Sequence, residues 1–164
     1  MYYRNSKGEV IGVLNDYDLS SMKDVPTGRE RTGTVPFMAL DLLEDEAIEG
    51  QVEHLYQHDA ESFIWVLTWV SLRYEDGRLR TNGRLLDEWL TVDANRCREK
   101  KRDFLGSAAR HKLQPSSSHG SNWAIVQSCL RILTILHADP RTNLGVKDVF
   151  DGWFGNVALK FKNS

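Results

Sequence analysis

Apolar and polar positions fall into a short β-like opening followed by a long series of helix-like stretches. Tyr2, Tyr3 and Arg4, the turn-forming Asn5-Ser6-Lys7-Gly8 and the apolar run Val10 to Leu14 predict a β-hairpin that stops at Asn15-Asp16. Residues 18 to 36 mix charge with Pro26, Gly28, Gly33 and Pro36 and keep no period, which predicts a long surface loop. Met38, Leu42 and Leu43 suggest a short helix. Residues 58 to 73 predict a long one, apolar on most faces and therefore buried at the centre of its domain, with Trp65 and Trp69 in the core. Leu85, Leu86, Trp89 and Leu90 predict an amphipathic helix, and residues 93 to 110 a charged one. Gln114 to Gly120 reads as a loop. Ile125, Val126, Cys129, Leu130, Leu133 and Leu136 line one face of a further helix, and Val146, Val149, Phe150, Trp153 and Phe154 suggest a last one.

A chain of 164 residues holds one domain with a sizeable core, or a piece of a larger one. A net charge of −2 gives no electrostatic case for nucleic acid or anionic membrane. The dense basic run Arg96 to Arg102 is interleaved with Glu99 and followed by Asp103, and reads as a solvated helix face. Cys97 and Cys129 stand apart, which suits free thiols in a reducing compartment. The amino terminus lacks the apolar run of a secretory signal, and no apolar stretch reaches the ~20 residues that span a bilayer. An intracellular protein, in cytoplasm or nucleus, is expected.

Several constellations resemble catalytic sites and fall short on chemistry. Gly28 to Thr34 has the glycine spacing of a phosphate-binding loop, but Thr34 stands where its lysine should be. His54 and His58 share a helix face in the manner of zinc ligands, yet Leu55-Tyr56-Gln57 offers no glutamate base and two ligands do not make a site. Ser62, Ser116 to Ser118, His111 and His119 come without a nucleophile elbow. Asp16, where a strand gives way to a loop, is well placed for a carboxylate that meets a hard cation, although aspartate is also common in such turns.

Three strings taken together resemble a known family. Val10 to Leu19, with Asp16-Tyr17-Asp18, resembles the strand and metal-binding motif that opens a protein-kinase activation segment. Gly33-Thr34-Val35-Pro36-Phe37-Met38-Ala39-Leu40-Asp41 resembles the motif that closes it, and His58-Asp59-Ala60-Glu61-Ser62-Phe63 the central helix of the larger lobe. Their wording is similar to that of the fungal-type protein kinases. The resemblance implies one partial kinase domain over residues 1–164, mainly α, with one short hairpin and an activation segment at 16–41. By the same resemblance Asp16 would bind Mg2+ on the ATP phosphates, Tyr17 would pack beneath the cleft, and Thr34 would face the substrate. Asp59 would brace the catalytic loop, and Asp41 would pair with Arg141.

No histidine-arginine-aspartate string occurs, and the glycine-rich loop and its lysine are missing. The family transfers phosphate from ATP to Ser or Thr of protein substrates, a reaction that needs those parts together. The expectation is therefore a fragment that starts just after the catalytic loop, inactive alone and without bound ATP or Mg2+. The alternative is a non-catalytic, pseudokinase-like interaction module, with a partner protein covering the side left bare.

Overall fold

The computed structural model describes residues 2–12, 33–81 and 84–138. Two compact units divide the chain, Met1–Thr32 and Gly33–Ser164. In the first, β1 (Tyr2–Arg4) pairs antiparallel with β2 (Val10–Gly12) in the register Tyr2↔Gly12, Tyr3↔Ile11, Arg4↔Val10. Asn5 closes the turn by accepting bonds from the amides of Lys7 (2.9 Å) and Glu9 (3.0 Å), and Gly8 supplies a φ of 81°. The hairpin expected from the sequence is present.

Among its described residues the second unit is mainly helical. Short 3-10 turns at Val35–Phe37 and Asp41–Leu43 lead into α1 (Asp45–Ile48) and then α2 (Tyr56–Arg73). A small hairpin follows, β3 (Tyr74–Glu75) with β4 (Arg78–Leu79), unforeseen although Asp76-Gly77 is a strong two-residue turn signal. Both turn residues have positive φ, 48° and 75°. Then come α3 (Ala94–Gly106), 3-10 turns at Ala108–Lys112 and Ser117–His119, and α4 (Gly120–Ala138). Among the described residues no helix is long and apolar enough to cross a membrane. The helix suggested near residues 146–154 lies outside the described residues, as does most of the 18–36 loop.

α2 forms where expected and packs against α4 and the 33–43 segment. Its buried stripe is Glu61, Ile64, Trp65, Thr68, Trp69 and Leu72, at the i, i+3, i+4 spacing of one helical face. The expectation that residues 58 to 73, apolar on most faces, are buried is corrected in part: Phe63 is 56% exposed and Val66 38%. Trp65, Trp89 and Phe104 meet edge to face, Trp65–Trp89 at 5.5 Å and Trp89–Phe104 at 5.7 Å between centroids. Val126, Cys129, Leu130 and Leu133 close the core from α4, and both cysteines are buried and outside any disulfide.

Two further expectations change. The helix predicted around Leu85–Leu90 shortens to a single 3-10 turn at Asp87–Leu90, because Leu86 takes a left-handed conformation (φ 70°) that no helix can pass through. The basic run is solvated on only one side of α3. Cys97, Lys101 and Leu105 point into the core, and Lys101 is wholly buried.

Candidate substrate-side segment

The 33–43 segment has little regular structure of its own, so other elements must meet its backbone polar groups. Thr34 is exposed and precedes the Val35–Phe37 turn, whose Pro36 suits a first-turn position. Phe37 sets its ring edge-on to Trp69 at 5.4 Å. Gly33 lies so near Met38 that a Cβ would come within 3.1 Å of the methionine Cγ. Leu40 and Leu43 are fully buried and anchor the segment to the core.

Three core side chains take its backbone in turn. The Lys101 ammonium donates to the Met38 carbonyl at 2.6 Å, and the Glu61 Oε1 accepts from the Leu40 amide at 2.9 Å. The Cys97 thiol donates weakly to the Val35 carbonyl at 3.9 Å. α3 adds outer ties, an Arg98–Glu44 ion pair and an Asn95–Asp45 bond of 2.7 Å. Lys101 is seated over the rings of Trp65 (4.8 Å) and Trp89 (5.6 Å), whose π-faces attract a cation. Burial pushes its pKa down to about 8, against the opposing pull of Cys97 and Glu61. Burial likewise pushes the Cys97 thiol up.

Behind the segment lies a cluster of acids and histidines. Burial alone would raise Glu61, but bonds from His137 Nε2 (3.0 Å), the Leu40 amide and Trp65 Nε1 (2.9 Å) hold its carboxyl below the ordinary value. His137 is pushed down by burial and more strongly up by Glu61, so its pKa is raised. Asp41 stands 3.8 Å from His137 Nδ1 and 3.9 Å from His58 Nε2. His58 is lowered, chiefly by burial. Its Nδ1 accepts the Leu55 amide proton at 3.0 Å at the start of α2, which puts the proton of the neutral ring on Nε2, toward Asp41.

The sequence-derived site residues are distributed differently. Asp16, Tyr17 and Arg141 lie outside the described residues. Asp41 has His58 and His137 beside it, and Asp59 is exposed and bonded to His54 Nε2 at 2.9 Å. His54 and His58 thus turn to different partners, and among the described residues no group of three His, Cys, Asp or Glu could hold a metal ion. The cluster of Ser116, Ser118 and His119 is spent on structure: Ser116 Oγ donates to the Tyr74 carbonyl, and its amide donates to Ser71.

Residues 1–71 match the family described as fungal protein kinase. The chain is related to the fungal protein kinases. No curated protein and no solved structure matches it. The match covers less than half of the chain and ends within α2. It takes in Thr34, Asp41, Asp59 and Glu61, and stops short of Cys97, Lys101 and His137. A kinase-related function follows from the relationship, with ATP and Mg2+ as the cofactors of a complete domain and proteins as its substrates.

The holding residues were missed by sequence reasoning although each carried a signal. Glu61 shares a helical stripe with Ile64, Trp65 and Thr68, and Lys101 shares one with Cys97, Phe104 and Leu105. A lone charge on an apolar stripe must be met by a partner if it is buried.

Proposed function

We propose that the chain is the substrate-side part of the larger lobe of a fungal-type protein kinase domain, and that it transfers no phosphate on its own. The complete domain would pass phosphate from ATP to Ser or Thr hydroxyls, with Asp16 holding Mg2+ on the ATP phosphates and Thr34 facing the protein substrate. The observation that carries this reading is the docking of residues 33–43 on α2 and α3 with Thr34 left exposed. A backbone held by side chains behind it keeps its outer face available for another chain. Catalysis of phosphoryl transfer is positioning and charge neutralisation, and this sequence has no His-Arg-Asp string to supply the base.

The test is transfer of labelled phosphate from ATP to a mixed protein substrate. The purified chain is expected to incorporate none, with or without Mg2+. A longer chain carrying the catalytic-loop aspartate and asparagine is expected to label Ser or Thr, and to lose substrate binding when Thr34 is replaced by a bulky residue. Mg2+-dependent transfer by the short chain would overturn its inactivity. A longer chain that binds a protein saturably and transfers nothing would establish the interaction module instead.

A further inference from the structure

We infer that Lys101 is a positioning residue for the substrate-side segment: from inside the core it holds the Met38 carbonyl and, with Glu61 and Cys97, fixes the backbone of residues 35–40. The inference deepens the reading of residues 33–43 as substrate-side and rests on it.

The geometry gives each partner a separate backbone group. Cys97 and Lys101 stand one turn apart on α3 and reach the carbonyls of Val35 and Met38, while Glu61 on α2 takes the amide of Leu40. The two helices are joined behind the segment by Trp65, which lends its ring face to the Lys101 ammonium and its Nε1–H to Glu61 Oε1. A wholly buried lysine is rare unless its charge is met. Here it is met by one carbonyl and two indole faces, with no carboxylate in an ion pair with it among the described residues. A packing role alone would be filled as well by methionine or leucine; a carbonyl facing the core requires a donor.

Amide hydrogen exchange on the 164-residue chain tests this, with rates corrected for intrinsic base catalysis. The reporters are the amides of Leu40, Leu42 and Leu43, bonded to Glu61, Ala39 and Leu40. Lys101→Met is expected to raise their opening roughly tenfold to a hundredfold at pH 7, with the amides of α2 and α4 unchanged. Unchanged protection of the three amides, or equal loss throughout α2 and α4, would overturn the inference. If Lys101→Met does not fold, Lys101→Gln decides: its amide keeps a donor for the Met38 carbonyl, so protection of the three amides close to that of the unaltered chain is expected, and a loss confined to them would overturn the inference. Exchange reports the clamp whether or not residues 33–43 meet a substrate, and the substrate-side reading stands or falls separately with phosphate transfer by the longer chain.

Discussion

A carboxylate survives in an apolar core only when its oxygens are met, and Glu61 meets a backbone amide, an indole N–H and an imidazole. Removing one member of such a buried set strands the others: Glu61→Ala is expected to cost roughly 3–5 kcal/mol, measured as a fall in the urea midpoint. The pH dependence follows from the directions of the shifts. Glu61, held low, adds stability above its ordinary 4.5 that is lost as pH falls through its lowered value. His137, held high, adds stability below 6.5 that is lost as pH rises through its raised value. His58 is lowered, so charging it in acid opposes folding and adds to the acid limb. The urea midpoint of the unaltered chain is therefore expected to fall in acid, and Glu61→Gln to flatten part of that limb. An unchanged acid limb in Glu61→Gln would place the dependence elsewhere.

α3 decides how the segment is held, and its own start depends on Asp93, whose side chain accepts from the Arg96 amide at 2.8 Å. Loss of such a cap costs about 1 kcal/mol. Asp93→Ala is expected to lower stability by that amount, read from the urea midpoint, and to loosen the amides of residues 40–43 along with the first turn of α3, because Asn95, Cys97 and Arg98 lie in that part of the helix. Protection of the segment unchanged beside a frayed α3 would separate the two. The β3–β4 hairpin is a smaller element with a clear requirement. At Gly77 a Cβ would meet nothing within 4 Å, yet φ is 75°, so Gly77→Ala is expected to destabilise by about 1 kcal/mol through backbone strain alone. A urea midpoint unaltered by that change would show that the turn relaxes.

At the scale of the whole molecule, one core cluster joins residues of the 33–43 segment, α2, the Asp87–Leu90 turn, α3 and α4, including Leu40, Trp65, Trp89, Cys97 and Leu133. Urea unfolding followed by tryptophan fluorescence and by far-ultraviolet dichroism is expected to show one coincident transition for this unit; separate midpoints would mean that the segment comes away first. Much of this organisation was legible in the amino-acid order. The opening hairpin, α2, the core faces of Trp65 and Trp69 and the apolar stripe of α4 follow from period and turn chemistry, which act over a few residues. The resemblance to fungal-type protein kinases rested on three strings, and the family match spans the same part of the chain. What period could not reveal was which charges turn inward. The basic run of α3 looks solvated because Arg96, Glu99 and Arg102 are, yet Lys101 is enclosed by Trp65 and Trp89 from other elements of the fold. His137 likewise reaches Glu61 across 76 positions. By itself the sequence determined most of the elements and the kinship, since both are written in local patterns. The holding of residues 33–43 was decided only by the tertiary structure, because the donors and acceptors come from helices that meet only when the chain is folded.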